Sequence, residues 1–203
     1  MSYQLLKEDV LFYQRFLKSC GFYTDRLDGK WGRHTTQADE DFLAAGEAIK
    51  TELGAFDNRS ESNIITLMPK AQRAARTMLS IAKANSKDVK VLSGTRTYDE
   101  QNALYRKGRF GNPPPKVTNA KGGQSNHNFG IAWDIGIFSN GDYITDDRQY
   151  TALSQLFLNG MNNIEWGGNW RTFPDYPHYQ LHTLTGDSVA AIRTSFEAGQ
   201  PIV

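Results

Sequence analysis

The sequence predicts an α+β fold preceded by a small all-α segment, and three observations predict it. Apolar residues recur at helical spacing in several stretches, and short β-branched or alternating runs lie between them. The two kinds of element follow no regular β-α-β rhythm, which argues against a doubly wound parallel sheet. With 39% apolar and 22% charged residues over 203 positions, usage is ordinary for a globular chain. Disordered, collagen-like and coiled-coil classes are excluded.

From Lys7 to Cys20 the residues Val10, Tyr13, Leu17 and Cys20 keep helical spacing, with Phe12 and Phe16 beside them and Gly21 as a stop. The turn-rich Asp28-Gly29-Lys30-Trp31-Gly32 leads to a second helix expected from Thr35 or Thr36 through Ala38, Phe42 and Ala45, with Thr36 and Asp39 as a capping pair. Two such helices bury little surface alone. Gly54 to Asn63 is polar and turn-rich and marks the boundary, so residues 1–53 form a small helical module, 54–63 a linker and 64–203 the main domain. Pro69 opens an amphipathic helix carrying Ala71, Ala74, Ala75, Met78, Leu79 and Ala82. Val89 to Leu92 reads as a strand. Thr97-x-x-Glu100 is a capping box for a helix with Ala103, Leu104 and Tyr105 that stops at Gly108. Pro113 to Pro115 lie in a loop. Gly130 to Phe138 alternates as a strand, with Ile131, Trp133, Ile135 and Ile137 on one face and Ala132, Asp134 and Gly136 on the other. Asp147 caps a helix through Tyr150, Leu153 and Phe157. Short strands near Asn163–Trp166 and His178–His182 complete the sheet, and a last helix covers about Ser188–Ala198 before Gly199.

A net charge of +1 argues against nucleic acid as a partner. The distribution is uneven. Residues 1–60 carry 8 Lys/Arg against 10 Asp/Glu, whereas Lys83 to Lys121 holds nine bases and three acids. That stretch is either a solvated surface or a face for an anionic polymer or a carboxylate-bearing substrate. No apolar run approaches the ~18 residues of a membrane-spanning helix. The first ten residues include Glu8 and Asp9 and lack an apolar core of signal-peptide length, so no Sec signal is read there. The single cysteine, Cys20, cannot form an internal disulfide, and the fold must rest on its core or a metal. A monomer is expected.

Three of the four histidines fall in the second half: His127, His178 and His182. A catalytic zinc takes three protein ligands and leaves one position open, and two histidines with one carboxylate are a common set. His127, Asp134 and His178 supply it. A histidine beside an acid is usually structural, but here Gly122-Gly123 and Gly130 bracket His127. Asp134, moreover, is an acid inside an apolar strand, where it needs a cation or several donors. Six residues separate His127 from Asp134, unlike the close pair of many iron oxygenases, and the helical His-Glu-x-x-His pattern is absent. The residues alone read as a zinc hydrolase.

The ordered set Ser125-x-His127-x-x-Gly130-x-Ala132-x-Asp134, Trp166-Gly167-Gly168-x-Trp170 and Asp175-x-x-His178 resembles the zinc D-alanyl-D-alanine carboxypeptidase and L-alanyl-D-glutamate endopeptidase family, whose members cut peptidoglycan peptides. Ser93-Gly94-Thr95-Arg96-Thr97 with Glu100-Gln101 looks like its substrate-side motif, and the likeness spans roughly residues 62–183. It implies a hedgehog/D-Ala-D-Ala peptidase-type domain and Zn²⁺ on His127, Asp134 and His178. It also implies Asp175 as general base and Arg96 as the cation for the oxyanion or a substrate carboxylate. Gln101 and Ser125 fall on its substrate side. Aspartate at 175, where carboxypeptidases usually carry glutamate, favours the endopeptidase branch. Glu165 is the rival base, read otherwise as a capping or surface acid. His182 shares a strand face with His178 and is read either as a support behind that ligand or, more simply, as an exposed strand residue, and His34 is expected on the surface.

Gln14, Leu17, Gly21-Phe22, Asp28-Gly29, Gly32, Thr35, Ala38 and Phe42 resemble the helical peptidoglycan-binding module of cell-wall hydrolases, with Phe22, Tyr23 and Trp31 as glycan-contact candidates or core residues. The resemblance implies bacterial peptidoglycan as partner. Its leading form is a phage endolysin that waits in the host cytoplasm until lysis. A D-alanyl-D-alanine carboxypeptidase or a non-catalytic wall-binding protein are the alternatives.

Overall fold

In chain order the elements are α1 (Lys7–Ser19), α2 (Arg33–Leu53), α3 (Asn58–Ile64), α4 (Pro69–Ala84), β1 (Asp88–Ser93), α5 (Tyr98–Arg106), β2 (Ala132–Ser139), β3 (Asp142–Ile144), α6 (Asp147–Gly160), β4 (Ile164–Trp166), β5 (His178–Leu181) and α7 (Val189–Glu197). Two 3₁₀ turns lie at Asn126–Phe129 and Gly167–Asn169. The structure, a computed structural model, describes residues 6–113, 115–186 and 188–203. Residues 1–5 of the segment read for a signal, and Pro114 of the proline loop, lie outside the described residues. Two compact units are distinguishable, one made of residues up to Ala44, Arg96–Gly130 and Thr183 onward, the other of Ala45–Thr95 and Ile131–His182.

In the first unit, Gln14 of α1 organises the turn that follows. Its side chain is fully buried, and its Oε1 accepts the Asp28 and Gly29 amides at 3.1 and 2.8 Å. Its amide nitrogen faces the Lys30 carbonyl at 3.0 Å and Asp28 Oδ1 at 3.1 Å. Gly29 is obligatory here, because its φ is +68° and a Cβ would come within 2.8 Å of the Lys7 carbonyl. Helix α2 starts at Arg33, earlier than expected, so Thr36 is not its cap. The Thr36 hydroxyl instead accepts the Trp31 indole N–H at 2.9 Å. Phe12 of α1 contacts Tyr98 of α5 and Phe196 of α7, each at 5.6 Å between ring centroids, and Phe196 contacts Phe129 at 5.3 Å.

The second unit holds an antiparallel sheet in the order β1-β2-β5-β4, with β3 also paired to β2. Trp133, Ile135, Tyr179, Leu181 and Ile164 are buried, as is the predicted face of α4 from Ala71 to Ala82. Residues 54–63, read as a turn-rich stretch, contain most of α3. Asp57 nucleates it by accepting the Arg59 and Ser60 amides at 3.1 Å each. The fully buried Arg76 of α4 forms a two-pronged pair with Glu61 at 2.8 and 2.7 Å and donates to the Gly54 carbonyl at 2.9 Å.

Further differences from the sequence reading concern β2, α6 and β3. Strand β2 begins at Ala132 because Gly130, at φ 71°, terminates a 3₁₀ turn in the left-handed region. The cap of α6 is Asp146, whose carboxylate accepts the Arg148 amide, and Asp147 is the first helical residue. The hairpin strand β3 was not expected. Asn140 and Gly141 form its turn with φ of 52° and 89°, the combination that closes a two-residue hairpin.

Candidate metal centre

Register explains why two of the predicted ligands meet. Asp134 on β2 and His178 on β5 are directly opposed in an antiparallel pair, and opposed residues project from the same face. The alternation that buries Trp133 and Ile135 therefore turns Asp134 toward His178, and Asp134 Oδ1 lies 3.2 Å from His178 Nδ1. His127 comes from the Asn126–Phe129 turn rather than from a strand. Asn128, fully buried, ties that turn down. Its Oδ1 accepts the Gly123 amide at 2.9 Å, and its Nδ2 donates to the Arg96 carbonyl at 2.9 Å. The Arg96 amide donates in turn to the His127 carbonyl at 3.0 Å.

His127, Asp134 and His178 each offer one ligand atom, and these atoms all lie within 4.8 Å of one another. Both histidines are buried and the aspartate is half-buried. Burial pulls the His178 pKa down, but Asp134, Gln180 and the charge of Asp175 outweigh it and hold the imidazole above its usual value. The donor set fits zinc. Two imidazoles and a carboxylate match its preferred ligands, three protein donors leave a position open, and a separation of 3.2 Å is what two ligands about 2.0 Å from one tetrahedral ion present.

The remaining predicted residues distribute as follows. Asp175 is half-buried in the bend before β5, where its amide donates to the Gly167 carbonyl at 3.0 Å and its carbonyl accepts from the His178 amide at 3.2 Å. Gly167 permits this close approach, since a Cβ there would lie 2.6 Å from the Asp175 carbonyl. Arg96 is half-buried between β1 and α5, immediately before the Thr97–Glu100 capping box, which is formed as expected. Ser125 precedes the His127 turn. Gln101 is buried and donates to the Ala120 carbonyl at 2.9 Å. Glu165 is neither a cap nor an exposed acid, because both its oxygens accept hydrogen bonds, from Trp170 and Gln180. His182 is exposed just past the end of β5, and His34 is exposed and paired with Asp25. The sequence reading passed over Gln180, although its position two residues after His178 on a strand placed it on the same face.

A mixed α+β domain whose antiparallel sheet and adjoining turn gather two histidines and a carboxylate defines a zinc peptidase class. The comparisons agree. A family profile described as D-alanyl-D-alanine carboxypeptidase matches residues 118–181. The peptidoglycan L-alanyl-D-glutamate endopeptidase CwlK of Bacillus subtilis is 33% identical over 125 residues, covering 57% of this chain and 73% of that protein. The crystal structure of the Serratia marcescens L-Ala D-Glu endopeptidase ChiX superposes with a TM-score of 0.50 at 25% identity, covering 62% of this chain and 88% of that one. The chain belongs to the L-alanyl-D-glutamate endopeptidase family of zinc peptidases.

Proposed function

We propose that the protein hydrolyses the L-alanyl-D-glutamate bond in the stem peptide of bacterial peptidoglycan. The observation that carries this reading is the His127, Asp134 and His178 cluster with Asp175 in the bend leading into His178. A zinc ion held there supplies Lewis acidity, which polarises a carbonyl and acidifies water toward a pKa of ~7. Asp175 takes the proton from the attacking water and returns it to the leaving amine. Arg96 presents a planar, permanently charged guanidinium to the developing oxyanion or to a substrate carboxylate. Ser125 and Gln101 shape the substrate side, Gln101 by fixing the loop at Ala120.

Residues 1–53 act in this reading as a wall-binding module, with 54–63 joining it to the peptidase domain of 64–203. What supports it is an indole, Trp31, that is 42% exposed yet held by stacking on Tyr13 at 5.9 Å and by its bond to Thr36. Its sequence neighbours Lys30 and Gly32 line a surface pocket with Tyr23, Asp25, Arg33 and His34. Tyr23 itself is buried and belongs to the core. A phage endolysin, held in the host cytoplasm as a monomer until lysis, is the biological setting this combination suits.

Mass spectrometry of muropeptides released from purified walls tests the activity. New D-glutamyl amino termini are expected. Release of terminal D-alanine alone would assign the carboxypeptidase reaction instead, and binding without any product would leave a wall-binding protein.

A further inference from the structure

Beyond the three ligands, one face of β5 and β4 carries a chain of polar side chains with a fixed direction. Glu165 is opposed to Gln180 across the β4–β5 pair, and Gln180 is two residues from His178 on the same strand face. Glu165 Oε1 accepts the Trp170 indole N–H at 2.6 Å, and Glu165 Oε2 accepts the Gln180 amide N–H at 2.7 Å. Gln180 Oε1 lies 3.0 Å from His178 Nε2. Gln180 is buried, so a wrongly turned amide there would leave polar atoms unpaired at a cost.

We propose that Glu165 is a positioning residue that selects the nitrogen through which His178 binds the metal. An ionised carboxylate can only accept. With Trp170 donating to one oxygen, the other obliges Gln180 to turn its NH₂ toward Glu165 and its carbonyl toward His178. That carbonyl needs a donor, so the His178 proton sits on Nε2. Nδ1, which faces Asp134, is left with the lone pair that a metal ligand requires. Glutamine at 165 would reverse the sequence. Its single carbonyl is taken by the Trp170 N–H, its NH₂ then donates to the Gln180 carbonyl, and Gln180 turns its own NH₂ toward His178 Nε2. The imidazole proton is thereby driven to Nδ1, where it blocks the ligand.

This inference rests on the zinc reading, and its test separates the two. Zinc affinity is measured by chelator competition on the full chain. Wild type, Glu165→Gln and the double variant Glu165→Gln/Gln180→Glu are compared, with folding checked by circular dichroism. The single change is expected to weaken zinc binding about 10- to 100-fold. The double variant moves the carboxylate to 180, where it accepts from both His178 Nε2–H and the amide at 165. The Trp170 N–H keeps its acceptor, and affinity is expected to return to within a few-fold of wild type. Long-range ¹H–¹⁵N correlation of the zinc-loaded wild type should show the His178 proton on Nε2, a readout that needs no variant. Wild-type affinity in Glu165→Gln, failure of the folded double variant to recover, or a metal on Nε2 would each overturn the inference. If wild type takes up no zinc at all, the metal reading fails with it.

Discussion

Removal of His127, Asp134 or His178 should have different consequences from removal of Asp175. Alanine at any of the first three is expected to abolish stoichiometric zinc. Because bound metal stabilises the folded state by mass action, the melting temperature should fall as well. Metal analysis that finds one zinc per chain in all three variants would reject the centre. Asp175→Ala is expected to keep the metal and lose at least ~10²-fold in kcat, as follows from removing a proton shuttle rather than a ligand. An active Asp175→Ala beside an inactive, zinc-replete Glu165→Ala would move the base to Glu165. Arg96→Lys should cost nearly as much as Arg96→Ala, about 3 kcal/mol of transition-state stabilisation read mainly in kcat, because an ammonium cannot reproduce the fork. A small, equal effect on kcat and KM would instead mark a structural cation.

Among the elements, α3 and α4 are joined by the Glu61–Arg76 pair, and this pair should make the second unit sensitive to acid. Burial pushes the Glu61 carboxyl up, but the Arg76 guanidinium and the Phe56 amide outweigh it and hold the pKa below its ordinary value of 4.5. A depressed folded pKa means stability that is fully present above the unfolded value and lost as pH falls through the folded one. Glu61→Ala leaves the buried Arg76 charge without its carboxylate and should cost about 3 kcal/mol at neutral pH. The gap between the urea melts of the two proteins should narrow as pH falls from 4.5 through the depressed Glu61 pKa, and a gap that stayed constant with pH would show packing rather than charge. The sequence concealed this pair because its members lie fifteen residues apart on elements whose packing no local pattern reveals. Local pattern suffices for α4, from its apolar periodicity, for α5, from its capping box, and for Asp134 and His178, from acid and imidazole among strand-forming neighbours. The Glu165–Gln180–His178 chain is not legible in the sequence because it depends on the β4–β5 register, which no local pattern displays. The hairpin strand β3 is a different case, since Asn140-Gly141 is a local turn signal that the sequence displays.

For the molecule as a whole, the wall-anchor proposal must be tested without cutting the chain. Phe12 covers Tyr98 and Phe196, and Phe196 packs on Phe129, two residues beyond His127. Deleting residues 1–53 would uncover those rings, so a truncated protein is expected to melt lower and aggregate, and its slow lysis would say nothing about binding. Trp31→Ala in the full chain avoids this, because the indole is a partly exposed side chain stacked on Tyr13 rather than part of the core. An anchor raises local enzyme concentration at an insoluble substrate without altering the chemistry. The variant should therefore sediment less with purified walls and clear them more slowly, while cleaving a soluble stem peptide at close to the wild-type rate. The basic stretch from Lys83 to Lys121 could hold anionic walls independently, and salt would weaken that attachment. Binding is therefore compared at low and high ionic strength, where a contribution from Trp31 should persist after the electrostatic part has been screened. Equal wall binding by wild type and Trp31→Ala at high salt, with zinc content and melting temperature matched, would remove Trp31 from the anchor.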